Sequence, residues 1–340
     1  MNKKKKFIKK QVSNKQAKQE LVPKAPSKII TVLRMYLQDL LLLLIPLSLF
    51  LIFLAIYVIN AQIEKEIAKQ QLAPFPMETQ MNPYPFVQEM PLLPLSAQSA
   101  IITDKDSQVV LFAKNSELRF SMASTVKIMT ALTALDYYEK DSVLTVQTGN
   151  VEGSVLQLQV GDQFYFQDLL YAMLLPSAND AALVIADNYP GGREAFVAKM
   201  NEKAQSWHLN NTHFSDPTGL EDDGDYTTVT DLARLASMAI DNKTFAAVTS
   251  TKEKIITNVS GTRQYQIQNL NKLLGTNGVT GIKTGTTEGA GEVLVTSVVA
   301  NGHTFIVVVM KSEDRFADTG TLLNFIAQKV QFINPNDIDR

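Results

Sequence analysis

The run from Leu40 to Ile59, LLLLLIPLSLFLIFLAIYVI, holds 20 residues without a charge. At about 1.5 Å per residue a helix of that length spans roughly 30 Å, the thickness of a bilayer's hydrocarbon core. In lipid every backbone N–H and C=O must be satisfied within the segment, so a membrane-spanning helix is expected over 37–60. Pro46 lies near its N-terminal end and is tolerated in such helices. Residues 1–36 carry ten lysines and one arginine against one glutamate, a net +10, while the whole chain is −2; the remainder therefore sums to −12. The positive-inside rule then keeps the basic tail 1–36 in the cytoplasm and puts everything beyond residue 60 on the outer face. A cleaved signal peptide is the competing reading, but the apolar run and the basic region before it are both long for one. The expected location is the cell membrane, single-pass, with the bilayer contacted through residues 40–59.

Residues 60–72 continue the helical pattern, with Ile59, Ile63 and Ile67 four apart. Pro74, Pro76, Pro83, Pro85, Pro91 and Pro94 follow, so 61–95 reads as a helical stalk and a stiff extended spacer. A folded domain is expected over 96–332, with 333–340 as a short tail. Its first β-type runs, 100–103 and 109–113, are separated by the polar turn DKDSQ, a hairpin signal. Ile128, Ala131, Leu132 and Leu135 form one stripe of a helix expected from Thr125 to about Tyr138. Further helices are expected near 167–175, 179–188, 192–207, 230–240 and 319–330. The β-rich runs 292–300 and 303–311 meet at Asn301-Gly302, the strongest short hairpin signal. Strands at both ends thus bracket a helical middle. The fold class is α+β: one antiparallel sheet built from both ends of the domain and flanked by helices.

The chain has no cysteine, which excludes disulfides, thiol catalysis and cysteine-ligated zinc. His208, His213 and His303 have no metal-site spacing, so neither metal nor cofactor is expected. No Gly-x-Ser-x-Gly elbow supports a Ser-His-Asp hydrolase. Only Phe7 is interleaved with the basic charges, which argues against nucleic acid as a partner. Three short motifs remain. Ser124 and Lys127, three apart at a helix start, share one face; a neutral lysine can take a serine's proton, and neutrality needs burial or a second cation such as Lys283. Read alone, the pair is equally an N-cap serine and a solvated lysine, and Ser-x-x-Lys occurs about once by chance at this length. Ser177 and Asn179 open another helix, either as a cap cluster or as a proton relay and a substrate-orienting amide. Lys283, Thr284 and Gly285 follow a β-type run; Lys283 and Gly285 share a strand face, where Gly285 would admit a substrate backbone and Lys283 and Thr284 a carboxylate. An ordinary surface strand is the alternative.

Taken in this order and with their flanks, the motifs resemble the serine D-alanyl-D-alanine carboxypeptidases, the low-molecular-mass penicillin-binding proteins. SMASTVKIMTALTAL is similar to that family's nucleophile helix, and GSVLQLQVGDQFYFQDLLYAMLLPSANDAALVIAD to its second motif. HFSDPTGL and DYTTVTDLARLA match its usual signposts, and GVTGIKTGTTEGAGEVLVTS its third motif. Covering about 97–330, the resemblance implies a serine β-lactamase/DD-peptidase-like fold. It further implies Ser124 as nucleophile, Lys127 as general base, Ser177 as proton relay and Asn179 as orienting group. Lys283 with Thr284 would hold the substrate's terminal carboxylate, and the backbone N–H groups of Ser124 and Thr286 would form the oxyanion hole. The partners so implied are peptidoglycan stem peptides ending in D-Ala-D-Ala, and β-lactams as covalent inhibitors. Position 286 is Thr where many members carry an aromatic or His, and Leu270 stands where many carry Arg; Arg315 is the remaining candidate for a second carboxylate contact. The signposts Asp216–Gly219 and Tyr226–Asp231 read as a turn and a helix start, with Thr230 as cap. A further C-terminal domain and C-terminal anchor are not expected. The alternatives are a serine β-lactamase, for which a Glu-x-x-Asn loop is missing between Asn179 and Lys283, a DD-endopeptidase, and a catalytically silent wall-binding scaffold.

Overall fold

The computed structural model describes residues 28–72, 83–89 and 91–333. Most of the basic tail, the spacer residues 73–82 and nearly all of the short C-terminal tail lie outside the described residues.

Helix α1, Lys28–Leu72, is one continuous helix that contains the 20-residue apolar run, Pro46 included. Side chains from Leu40 to Ile59 are exposed along its whole length. By length and composition it is a candidate membrane anchor.

The elements of the second unit follow in chain order. Strands β1 (Tyr84–Val87), β2 (Ser99–Asp104), β3 (Val110–Lys114) and β4 (Phe120–Ser121) lead into a 3₁₀ turn at Ala123–Val126 and helix α2 (Lys127–Leu135). A short hairpin, β5 (Val143–Thr145) and β6 (Gln163–Tyr165), precedes helices α3 (Phe166–Leu174), α4 (Asn179–Asp187) and α5 (Gly192–Ser206). Strand β7 (Tyr226–Thr227), helices α6 (Val229–Asp241) and α7 (Lys243–Thr249), and hairpin β8 (Glu253–Thr257)–β9 (Gln264–Gln268) come next. Strands β10 (Val279–Thr287), β11 (Gly291–Ala300) and β12 (His303–Ser312), helix α8 (Arg315–Lys329) and β13 (Val330–Ile333) complete it.

The central antiparallel sheet has the order β10-β11-β12-β2-β3, so strands from both ends of the domain do meet in one sheet. Its register puts Val308 opposite Ile101 and Ala300 opposite His303, the latter pair closing the Asn301-Gly302 hairpin. Both turn residues have positive φ, 52° and 78°, as a tight two-residue hairpin requires. Residues of β12 alternate between two cores because both faces of the sheet are covered. Ile306, Val308 and Met310 pack with helices α2 to α6, whereas Phe305, Val307 and Val309 pack with Leu322, Phe325 and Ile326 of α8. A doubly covered strand reads as an unbroken apolar run, which is what FIVVVM is.

Three local expectations change. The stretch 84–95 is not a free spacer: β1 pairs antiparallel with β13, and Val87, Leu93 and Leu95 pack on the α8-side core. Proline is compatible with a two-stranded edge, and the apolar residues between the prolines supply the packing surface. The helix expected from Thr125 starts instead as a 3₁₀ turn and becomes α-helical at Lys127. Thr228, not Thr230, caps α6 by accepting from Asp231 N at 3.1 Å, while the Thr230 hydroxyl donates to Ser116 O.

Candidate active site

Ser124 sits in the 3₁₀ turn, after Ala123 in the left-handed region at φ 46°. The hydroxyl does not cap a helix, and the turn is tied by Thr125 N and Oγ1 to Met122 O, at 3.2 and 2.6 Å. Two glycines let this turn pack tightly. A Cβ on Gly285 would lie 3.1–3.2 Å from Ala123 Cβ, Met122 O and Ser124 N. One on Gly219 would fall 2.0 Å from Ala123 O, a separation no side chain can adopt. The missing side chain of Gly285 thus makes room for the serine turn.

Lys127 follows one turn later and is fully buried. Its Nζ lies 2.9 Å from Ser124 Oγ and donates to Asn179 Oδ1 at 2.7 Å and Thr218 O at 2.6 Å. Burial pushes its pKa down to about 7, against the opposing pull of Asp216, Asp225 and Asp180. Burial, rather than the neighbouring Lys283 charge, is therefore the cause. A solvated surface lysine is excluded.

Asn179 begins α4 and is clamped by the preceding loop: its N donates to Ser154 O at 2.7 Å and its Nδ2 to Glu152 O at 2.8 Å. That leaves Oδ1 facing the lysine. Ser177 is buried, and it too is held in the left-handed region, φ 66°. Its hydroxyl neither caps α4 nor has a hydrogen-bond partner among the described residues. A strained serine with an orphaned hydroxyl is costly for folding alone, about 1–3 kcal/mol for each feature.

The third motif lies on β10, an edge strand of the central sheet. Lys283 is 1% exposed and donates to Thr284 O at 2.8 Å, and Thr284 is buried beside it. Burial first, and then the charges of Lys127 and Arg315, hold the Lys283 pKa well below the ordinary lysine range. Thr286 is exposed near the strand end. Arg315 opens α8 and donates from Nη1 to Gly285 O at 2.7 Å, while its buried Nε has no partner among the described residues. It is thus attached to the motif strand, whereas Leu270 is exposed.

The Asp216–Gly219 turn is more than a connection: it forms part of the site. Besides holding the lysine through Thr218 O, it is tied to α2 by Thr130 Oγ1, which donates to Pro217 O at 2.8 Å. Asp216 organises the turn by accepting from Thr218 N, Thr218 Oγ1, Gly219 N and Glu221 N. Asp222 accepts from Ser121, Thr287 and Gly289 N, joining the segments before Ser124 and after Lys283. The Asp-x-x-Gly pattern signals a turn, but a backbone carbonyl has no residue signature to reveal its partner. Among the described residues no group of three or more His, Asp or Glu side chains could hold a metal ion.

Comparison with known proteins agrees in one direction. The family Peptidase_S11, D-alanyl-D-alanine carboxypeptidase, matches residues 86–314. A D-alanyl-D-alanine carboxypeptidase of Streptomyces sp. strain K15 is 32% identical over 253 residues, 68% of this chain and 87% of its own length. DacF of Bacillus subtilis, also named a D-alanyl-D-alanine carboxypeptidase, is 32% identical over 240 residues, 67% of this chain but 61% of its own length. The crystal structure of the Streptomyces K15 DD-transpeptidase superposes with a TM-score of 0.66 at 31% identity, covering 70% of this chain and 98% of that one.

Proposed function

The chain belongs to the D-alanyl-D-alanine carboxypeptidase family, and we propose that it removes the terminal D-alanine from peptidoglycan stem peptides through an acyl-enzyme on Ser124. The observation that carries this reading is Lys127, a fully buried amine 2.9 Å from the Ser124 hydroxyl with a pKa lowered to about 7. A lysine so placed is a base at neutral pH, which a solvated one is not.

Ser124 Oγ attacks the carbonyl carbon of the penultimate D-alanine while its proton passes to Lys127 Nζ. The oxyanion takes hydrogen bonds from the backbone N–H groups of Ser124 and Thr286. The C–N bond then breaks, and the proton returns through Ser177 Oγ to the departing amine of D-alanine. Water, deprotonated in turn by Lys127, attacks the ester and frees Ser124. A positioned base contributes about 10²–10⁴-fold and an oxyanion donor about 10²–10³-fold. Lys283, Thr284 and Arg315 receive the substrate's terminal carboxylate. Burial, and then the charges of Lys127 and Arg315, disfavour the Lys283 charge, and a bound carboxylate would favour it again. Asn179 holds Lys127 and the substrate in register. The helix α1 anchors the domain through residues 40–59, with the basic tail in the cytoplasm and the domain on the outer face. β-Lactams act as inhibitors by acylating the same serine.

Intact mass of the full chain after incubation with benzylpenicillin, beside Ser124→Ala, tests this reading. A persistent single adduct that disappears in the variant is expected. Rapid loss of the drug without an adduct would identify a β-lactamase, and neither adduct nor turnover a silent scaffold. The structural relative's name as a transpeptidase supports a second reading, in which an amine replaces water as acceptor; added glycine would then appear in the product.

A further inference from the structure

The two backbone donors that serve the oxyanion come from segments far apart in the chain. Ser124 lies just after Ser121 of β4, and Thr286 immediately precedes Thr287 at the end of β10. Their spacing has a lower limit. Gly285 packs on the serine turn so closely that even a Cβ there would lie 3.1–3.2 Å from Ala123 Cβ, Met122 O and Ser124 N. Close packing resists approach but not separation. Among the described residues no hydrogen bond runs directly between 120–126 and 283–290. Arg315 holds Gly285 O, but it does so from α8. A link that resists separation has to come from a third segment.

That segment is the loop after the 216–219 turn. It is closed on itself by Glu221 O, which accepts from Gly224 N at 3.3 Å and Asp225 N at 3.1 Å. Asp222, half-buried on this loop, accepts on Oδ1 from Ser121 Oγ at 2.6 Å and from Thr287 Oγ1. Its Oδ2 accepts from Gly289 N at 2.9 Å. A Cβ on Gly289 would fall 2.6 Å from the Asp222 carboxyl carbon, so glycine lets the carboxylate reach that N–H. The strand end is braced further: Thr287 Oγ1 accepts from Ala290 N at 3.0 Å, and Lys311 Nζ donates to Gly289 O. Burial pushes the Asp222 pKa up, but the donors from Ser121, Thr287 and Gly289 and the Lys311 charge outweigh it and hold it below the ordinary aspartate value. A charged carboxylate therefore bridges the two sides of the site at neutral pH, and charge-assisted hydrogen bonds are roughly twice as strong as neutral ones.

We propose that Asp222 is a positioning residue for the oxyanion hole: it clamps Ser121 to Thr287 and so fixes the distance between the Ser124 and Thr286 backbone N–H groups. The inference rests on the Ser124 reading given above. Cutting the clamp leaves β4 paired with β7 and β10 with β11, so both segments stay folded. They become free to separate at the point where the oxyanion forms. A misplaced donor no longer stabilises the tetrahedral intermediate, and each such donor is worth about 10²–10³-fold. The loss belongs to the acylation step, because the hole binds the oxyanion more tightly than the ground-state carbonyl. Affinity for the drug's carboxylate falls to Lys283, Thr284 and Arg315 in the same reading and should be spared. One short stretch of chain thus serves both halves of the chemistry, with Thr218 O holding Lys127 Nζ at 2.6 Å and Asp222 holding the hole.

The test follows acylation of the full chain by benzylpenicillin over a range of drug concentrations, which separates the first-order acylation rate constant from the preceding binding constant. Asp222→Ala should lower the rate constant about tenfold or more and leave the binding constant within about threefold. Asp222→Asn keeps one oxygen for Ser121 and Thr287 and loses only the Gly289 bond, so its rate should return to within about threefold of the wild type. Ser121→Ala removes one hydroxyl, leaves the loop in place and cuts the clamp from the other side. It should slow acylation too, and add nothing when combined with Asp222→Ala. Infrared spectra of the acyl-enzyme read the hole directly, because hydrogen bonding lowers the frequency of the ester carbonyl. That band should move to higher frequency in Asp222→Ala and return in Asp222→Asn. A Ser124 adduct whose rate and carbonyl band are the same in Asp222→Ala or Ser121→Ala as in the wild type overturns the proposal alone. So does a double variant slowed by the product of the two single effects. A wild type that forms no adduct overturns the Ser124 reading, and the clamp with it.

Discussion

At the scale of single residues, the group around Ser124 sets chemistry against stability. Ser177 shows this most simply, because the fold gives its side chain nothing: φ is +66° and the buried hydroxyl has no partner among the described residues. A left-handed conformation costs a non-glycine residue about 1–2 kcal/mol, and an orphaned buried hydroxyl about 1–3 kcal/mol. Ser177→Gly removes both penalties at an entropic cost of about 0.5–1 kcal/mol in the unfolded chain. It should therefore stabilise the protein by about 1 kcal/mol while slowing turnover of a D-Ala-D-Ala peptide on the order of 10²-fold. Melting temperature and kcat measured on one preparation decide it, and a destabilised variant would show that the hydroxyl is structural. Ser124, Lys127, Ser177, Asn179 and Lys283 were readable as candidates because side-chain chemistry concentrates in local triplets. The lysine's low pKa was not, because it comes from burial by residues as distant in sequence as Asn179 and Thr218.

Elements show where local reading stops. The β11–β12 hairpin was legible from Asn301-Gly302 and alternating apolar runs, and helices α3 to α6 from their periodicity. Helix α7 and the β8–β9 hairpin were missed, since seven residues carry too little period and KTFAAVT has no charged face. Strand β1 is not legible locally, because its partner, β13, lies about 245 residues on and no local signal announces it. The turn at 216–219 was legible as a turn but not as a wall of the site. Its closeness to the serine turn gives a direct test. In Gly219→Ala the new Cβ would meet Ala123 O at 2.0 Å with φ at +80°, so one of the two turns must move. A loss of about 2 kcal/mol in stability and at least a tenfold drop in benzylpenicillin acylation are expected. Unchanged melting and acylation would mean that the two turns do not constrain each other.

For the whole molecule, charge and hydropathy are segregated along the chain, and this has one consistent outcome. The core of the second unit hides its large apolar side chains on both faces of a sheet, whereas Leu40 to Ile59 leave theirs exposed along an entire helix. An exposed apolar surface of that extent is stable only in contact with lipid or a partner, and its 20 uncharged residues match a bilayer's hydrocarbon thickness. The basic excess precedes the run and the acidic excess follows it, the asymmetry from which the positive-inside rule expects the proposed orientation, N-terminus inside. Because the chain has no cysteine, single substitutions can report each side without background. Ser260, exposed between β8 and β9, reports the folded domain, and Gln16 reports the basic tail. A membrane-impermeant maleimide applied to intact cells should label Ser260→Cys and spare Gln16→Cys until the cells are lysed. The reverse pattern would place the domain in the cytoplasm, away from any wall substrate. Release of the labelled Ser260→Cys domain into the medium, without the tail, would replace the anchor with a cleaved signal peptide.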